Sequence, residues 1–275
     1  MTGFQRKKML RVSVIITTYQ RPSALNQALA RLATQEILPF EIIVADDGSG
    51  SDTAMLISDW QRRMKIPLRH IWQEDRGFRA AGARNRAVAA SNGEYLVFLD
   101  GDCLVFPDFI RQHLALAEEG MMVMGSRILC SRALTELIES GAAPPQGWGW
   151  VGSRWRKDVN RISPLLRIPG QAWRKLRPHR WQGIRTFNLA LSRSNFERVN
   201  GFDENFQGWG HEDADLAVRL IHTGVYRKDG QFALPVLHLW HRESDRSQTA
   251  ENMSLLQQCI SNGQIRAKRG FDQYQ

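Results

Sequence analysis

The chain has 275 residues, 43% hydrophobic and 24% charged, the composition of an ordinary globular protein built as one large domain or one plus a small appendage. No apolar run approaches the roughly 20 residues that a bilayer-spanning helix needs, and the basic amino terminus, Met1 to Lys8, runs straight into a strand pattern and does not read as a signal peptide. With 37 Lys and Arg against 28 Asp and Glu, a net charge of +9 and a pI near 9.9, an anionic partner is expected. The three cysteines, Cys103, Cys130 and Cys259, lie far apart without paired metal-ligand spacing, which suits a reducing cytosol.

In chain order, Val12–Thr18 is β-branched and nearly continuous, as a buried parallel strand should be. Arg21-Pro22-Ser23 then opens a helical pattern through Leu25, Leu29 and Leu32. A second strand, Phe40–Ala45, ends at Asp46-Asp47-Gly48-Ser49. A helix around Thr53–Arg63, a strand at Leu68–Trp72, an Ala-rich helix over Ala80–Ala90 and a strand from Tyr95 follow. This alternation predicts an α/β fold with a parallel, doubly wound sheet.

The second half is less regular. A helix over Pro107–Glu119 leads to a strand at Met121–Gly125, after which the Pro-, Trp- and Arg-rich stretch 142–182 has little periodicity and is expected to be a long loop or lid. Between Arg154 and Arg185, Arg156, Lys157, Arg161, Arg167, Arg174, Lys175, Arg177 and Arg180 meet only Asp158 as an acid; Trp148, Trp150, Trp155, Trp173 and Trp181 interleave with this region. Such a mixture suits an anionic lipid headgroup boundary, and equally a solvated face with Trp packed beneath it. A strand is expected over Thr186–Ser192, a short helix near Ser194–Phe196, a turn at Gly201-Phe202-Asp203-Glu204, a strong helix over Glu212–Thr223, a strand over Phe232–His241, and a polar helix and tail at the end.

The chemistry-bearing residues sit at strand ends. Thr17-Thr18-Tyr19 follows the first strand, Asp46-Asp47 the second and Asp100-Gly101-Asp102 the fourth, and parallel topology brings all three to one edge, where open α/β sheets bind ligands. An Asp-x-Asp there can hold a divalent metal against phosphate, although each motif alone is also an ordinary turn. In Gly208-Trp209-Gly210-His211-Glu212-Asp213, a glycine-flanked turn releases into a helix. The acids suit a helix amino terminus, and one of them can equally serve as general base toward an alcohol. His238 and His241 close an apolar run; imidazole beside carboxylate suits Mn²⁺.

These residues bring the chain to a known family. The segments Val12–Tyr19, Glu41–Ser49, Gly77–Asn85 and Asp100–Asp102 closely resemble family 2 glycosyltransferases of the GT-A fold. Gly201–Glu204, Gly208–Asp213 and His241 resemble the galactosyltransferase-like region of β-1,4-galactosyltransferases and chondroitin polymerase modules. The resemblance spans roughly residues 11 to 246. It implies a Rossmann-like mixed, mostly parallel sheet flanked by helices, with the Trp/Arg-rich stretch as an insertion. Residues 1–125 would form the nucleotide-sugar half, 126–250 the acceptor and catalytic half of the same domain, and 251–275 a carboxyl-terminal helix and tail.

Carried over residue by residue, the resemblance implies that Thr17, Thr18, Tyr19, Arg21, Asp46, Asp47, Arg79, Arg84, Asp100 and Gly101 surround a UDP-sugar, with Asn188 lining the donor sugar pocket. It implies Asp102 and His241 as ligands of Mn²⁺ or Mg²⁺, with His238 ranked below His241. Asp213 would be the catalytic base, with Glu212 positioning the acceptor or donor sugar and Trp209, Gly210 and His211 around that sugar; the family usually has a small residue where His211 stands. The implied activity is inverting transfer of a hexose-type sugar to a glycan or lipid-linked saccharide in bacterial polysaccharide or lipopolysaccharide synthesis, in the cytoplasm or peripherally on the inner membrane face. The competing readings are a sugar nucleotidyltransferase, whose basic glycine-rich loop Thr18–Pro22 does not supply, and a catalytically silent binding module. A nucleic-acid partner is not expected, because no helix-turn-helix, zinc or RNA-binding signature accompanies the charge.

Overall fold

β1 (Val12–Thr18) runs through the middle of the molecule, with Val14, Ile15 and Ile16 wholly buried. The computed structural model describes residues 10–242 and 245–275. Around β1 the parallel strands β2 (Glu41–Asp46), β3 (Leu68–Trp72) and β4 (Tyr95–Asp100) assemble in the order β3-β2-β1-β4. The register pairs Thr17 with Asp100, Thr18 with Asp46 and Asp46 with Trp72, so the three polar strand ends lie at one edge. Because β1 lies between β2 and β4, the chain reverses direction across the sheet there, which opens a crevice at the strands' carboxyl ends.

The sheet continues through β8 (Asn188–Ser192), antiparallel to both β4 and β6 (Met121–Met124), and ends at β9 (Tyr226–Asp229), parallel to β6. These seven strands make the expected mixed, mostly parallel sheet. A separate three-stranded sheet, β5 (Cys103–Val105), β10 (Pro235–His238) and β7 (Ser126–Leu129), stands beside it. β10 runs antiparallel to β5 with His238 opposite Cys103, which delivers a histidine next to Asp102. The strand expected over 232–241 is therefore shorter, and His241 lies beyond its end.

Helices cover the sheet through apolar stripes. α1 (Pro22–Leu32) starts with proline in its first turn and buries Leu25, Ala28, Leu29 and Leu32. α2 (Ser51–Arg63) buries Ile57 and Trp60. In α3 (Ala80–Ala89) almost every side chain is buried; the small alanines let it approach the sheet closely and hold one large residue, Arg84, inside. α4 spans Phe109–Leu116, three residues short of the expected carboxyl end, and α5 (Arg132–Glu139) is capped by Ser131, whose hydroxyl accepts from the Leu134 amide. α7 (Arg193–Arg198), α8 (Glu212–His222) and α9 (Thr249–Ser261) follow as expected.

The stretch 142–182 is more built than its sequence pattern suggests. It contains α6 (Gly149–Trp155) and two 3-10 turns, Ser163–Leu166 and Ala172–Lys175. Val159 is buried and bridges Cys130. Arg174, 4% exposed, donates to the carbonyls of Asp229, Gln231, Ile168 and Gly170, so one of its basic residues is a structural pin. Among the described residues, no helix is long and apolar enough to cross a membrane.

Candidate active site

Arg84 ties the two halves of the site together. Its Nε donates to Thr17 Oγ1 (3.1 Å) and Nη1 to Glu212 Oε1 (3.2 Å), while Nη2 lies 3.5 Å from Asp100 Oδ1. One buried guanidinium thus serves β1, β4 and the start of α8. The next residue, Asn85, clamps the Gly201-Phe202-Asp203-Glu204 turn: its carboxamide accepts from the Phe202 amide and donates to the Phe202 carbonyl and the Glu204 carboxylate. Gly201 has φ +65°, and a Cβ there would lie 2.5 Å from Asn85 Oδ1, so the clamp requires glycine.

The β2 side of the crevice is shaped by Asp47. Its carboxylate accepts from the Arg79 amide (2.8 Å) and Gln73 Nε2 (2.6 Å), yet burial outweighs these bonds and raises its pKa. The Tyr19 hydroxyl donates to Asp75, and Arg79 Nε is buried without a partner among the described residues. The Gly101 amide donates to the Thr17 carbonyl at 2.7 Å, and a Cβ at Gly101 would lie 2.9 Å from that same oxygen.

Two expected donor-site residues face elsewhere. Asp46 is wholly buried and accepts from the Ser49 amide and His70; burial raises its pKa, but the bonds from His70 and Ser49 outweigh it and the net direction is down. Successive residues at a strand end point to opposite faces, so of the Asp46-Asp47 pair only Asp47 reaches the crevice. Asn188 is also wholly buried: its Nδ2 donates to the Leu234 carbonyl and its Oδ1 meets His113, so it packs behind Gly125 and does not line an open pocket.

Asp102 lies between two imidazoles. His238 Nε2 is 3.5 Å from its Oδ1 and His241 Nε2 is 3.6 Å from its Oδ2. His241 Nδ1 is 2.8 Å from the Arg242 carbonyl, which can only accept, so Nδ1 donates there and Nε2 is the ring atom that faces the carboxylate. A carboxylate with two imidazoles is a donor set that fits Mn²⁺. His238 therefore stands level with His241 at this site, contrary to its lower ranking from sequence; the His-x-x-His spacing was the signal. Arg21 supplies positive charge here through Nη1, 2.8 Å from Asp102 Oδ2, and its Nη2 pairs with Glu139. This places Arg21 on the Asp102 carboxylate, a contact that sequence reasoning did not assign. Cys103 lies within reach as well, but burial, then Asp102 and Asp100, push its thiol pKa well up, and a protonated thiol is a poor ligand.

At the opposite wall, His211 takes a left-handed conformation (φ +73°) immediately before α8 and sets Glu212 and Asp213 in the first turn. Asn252 of α9 fixes this turn by donating to the carbonyls of Gln207 and Gly210, and Arg246 stacks on Trp209 at 5.0 Å. Asp213 is 5% exposed; burial and then Glu212 push its pKa up to about 7 against the pull of Arg185, which lies 3.5 Å away. Asp100 is pushed up to about 6, chiefly by burial. Arg185 also acts with burial to lower the His211 pKa. Sequence reasoning did not single out Arg185 for this role, because nothing in its neighbourhood marks a partner in α8. A buried carboxyl poised near neutrality beside a carboxylate and two guanidiniums is what general-base work requires.

Residues 13–173 match the family described as glycosyl transferase family 2. The chain belongs to that family. It is a glycosyltransferase. Residues 172–234 match a second family, described as the N-terminal domain of galactosyltransferase, in keeping with the distal motifs. A validoxylamine A glucosyltransferase from Streptomyces hygroscopicus subsp. limoneus is 33% identical over 226 residues, covering 78% of this chain and 48% of that protein. The hyaluronan synthase of Pasteurella multocida is 27% identical, over 79% of this chain and 23% of its own length. The chain thus spans about half or less of these relatives. Among solved structures, Staphylococcus aureus TarS 1-349 in complex with UDP-GlcNAc superposes with a TM-score of 0.60 at 16% identity, over 96% of this chain and 69% of that one. A Pyrobaculum calidifontis mannosyltransferase in complex with GDP-Man and Mn²⁺ has a TM-score of 0.56 at 20% identity, over 84% and 57%. At these identities the structures share the GT-A fold with this chain.

Proposed function

We propose that this glycosyltransferase moves a hexose-type sugar from a UDP-sugar to a hydroxyl of a glycan or lipid-linked saccharide, with inversion at the anomeric carbon, in bacterial cell-surface polysaccharide or lipopolysaccharide synthesis. The observation that carries the reading is the Arg84 bridge, which joins Thr17 and Asp100 on the nucleotide edge to Glu212, next to the perturbed Asp213. Asp213 takes the proton from the acceptor hydroxyl as that oxygen attacks the anomeric carbon from the face opposite the diphosphate; the C–O bond to the acceptor forms as the bond to the diphosphate breaks, with no covalent enzyme intermediate. Glu212 and Arg84 orient the sugar. Asp102, His238 and His241 would hold Mn²⁺ or Mg²⁺, which supplies positive charge to the departing diphosphate. Hyaluronan synthase among the relatives favours a saccharide product.

We further propose that the protein works in the cytoplasm, peripherally on the inner membrane face, through α6. Trp148 and Trp155, each 89% exposed, and Val151 lie on one face of that helix, with Arg154 and Lys157 exposed beside them.

The deciding experiment is a Mn²⁺-dependent binding and hydrolysis screen of UDP- and GDP-sugars on wild type and Asp102→Ala. Saturable turnover of one UDP-sugar that disappears in the variant is the expected result. Turnover of a GDP-sugar alone overturns the nucleotide assignment, and folded protein that binds no nucleotide sugar leaves a silent binding module.

A further inference from the structure

Beside Asp213, in the first turn of α8, Arg185 borders a polar cavity. It encloses about 350 Å3, and four arginines, Arg127, Arg161, Arg185 and Arg227, line it together with a single carboxylate, Asp229. Arg227 donates to the Gln182 carbonyl at 3.1 Å and lies 3.5 Å from Asp229, with its side chain 14% exposed. Burial, and then Arg180 and Arg177, lower its pKa despite Asp229, so positive charge is crowded there. Arg161 is anchored by two bonds to the Arg127 carbonyl. The Arg127 guanidinium stacks over Phe187 at 4.9 Å and has no carboxylate hydrogen bond or ion pair among the described residues. Arg227 and Arg185 each have a carboxylate at 3.5 Å, which leaves the Arg127 and Arg161 guanidiniums as the forks that match a carboxylate or phosphate.

The location says which substrate meets them. Arg185 reaches Asp213 at 3.5 Å, and the Phe187 ring lies 6.5 Å from that of His238, so the cavity opens beside the reacting centre. Arg227 and Asp229 belong to β9, at the opposite end of the large sheet from β3, β2 and β1, whose ends form the proposed nucleotide edge, while Arg127 belongs to β7 of the smaller sheet and Arg161 and Arg185 to loops. In a single displacement the acceptor approaches from the face away from the diphosphate, and the end away from the nucleotide is the acceptor's.

We propose that this arginine cavity binds an anionic group, carboxylate or phosphate, carried by the acceptor saccharide, and that it selects acidic acceptors over neutral ones. The inference rests on the transferase reading above. Glucose 6-phosphate, glucuronate and glucose titrated calorimetrically into wild type saturated with UDP and Mn²⁺ test it, alongside Arg127→Gln and the more exposed Arg161→Gln. At least one acid should bind tenfold or more tighter than glucose, and that preference should fall at least tenfold in Arg127→Gln and severalfold in Arg161→Gln. The tighter acid identifies the group, phosphate or carboxylate. Equal binding of acids and glucose, an unchanged preference in both variants, or acids displaced by saturating UDP would overturn the proposal. So would a preference for UDP-glucuronate over UDP-glucose that is lost in Arg127→Gln while acid binding stays intact, since it assigns the arginines to the donor. Because binding is read, its failure with donor hydrolysis intact removes only the acidic-acceptor inference; absent hydrolysis with acid binding intact removes the transferase reading.

Discussion

Asp213 combines a functional and a thermodynamic consequence in one carboxyl. As the proposed general base it must be ionised, so turnover should rise about tenfold per pH unit below its pKa of about 7 and level off above it. Asp213→Asn should lower turnover by about 10²–10⁴-fold and remove that limb while leaving UDP affinity unchanged; pH–rate profiles with UDP titrations check this. The same raised pKa acts on stability. The folded protein holds a proton that the unfolded chain releases near 3.8, so the site's contribution is fully present below that value and is lost as pH rises through about 7. An asparagine cannot ionise, so the variant should melt higher than wild type at pH 8, with the gap closing by pH 4. Gly101 makes a second test. A Cβ there would press within 2.9 Å of the Thr17 carbonyl and 3.2 Å of the Thr18 side chain, so Gly101→Ala should shift the turn bearing Asp102 and weaken Mn²⁺ binding about tenfold or more. Mn²⁺ titration followed by electron paramagnetic resonance reads this directly, and unchanged affinity would count against Asp102 as the ligand.

At the scale of elements, what was legible followed burial. β1, β2 and β4 declared themselves because strands covered on both faces need nearly continuous apolar runs, and α8 because its apolar positions recur with the helical period. β5, β7 and β9 are three or four residues long, too short for a period to emerge, and β10 forms only through pairing with two of those short strands. The site was legible where a motif is local, as in Asp100–Asp102 and Gly208–Asp213. It was not legible where a partner arrives from across the chain, as Arg185 does at Asp213. α8 also carries a cost hidden from sequence: Asp215 and Arg219 form a pair 2.6 Å apart at 1% and 0% exposure, and Arg219 also donates to the Val199 carbonyl. Arg219→Met leaves Asp215 buried and unpaired and should destabilise the protein by about 3–5 kcal/mol. Urea melts check the figure, and Arg219→Met with Asp215→Leu should recover much of it.

Across the whole molecule, topology separates the proposed duties: the nucleotide edge at β3-β2-β1-β4, the proton acceptor at the start of α8, and the arginine cavity between β7, β9 and the loops bearing Arg161 and Arg185. The excess positive charge is divided as well. Arg174 is buried as a pin, Arg167 pairs with Asp108 and Lys175 with Glu118, so much of the basic stretch is committed to the fold. Its composition alone did not reveal this division, because a pin and a solvated charge are the same residue type. Among what stays outward, Arg154 in α6 and Lys157 just past it lie beside an apolar stripe of Trp148, Val151 and Trp155. Headgroup insertion of two indoles combines with roughly 1 kcal/mol for each basic residue near an anionic surface. Binding to vesicles containing anionic lipid should therefore weaken as salt rises, and Arg154→Glu with Lys157→Glu should reduce it by about tenfold or more. Trp155→Ala should reduce it at every salt concentration, because its contribution is apolar. Flotation of the intact chain with anionic and with neutral vesicles reads both effects, and equal, weak flotation with the two lipid types would place α6 in solvent.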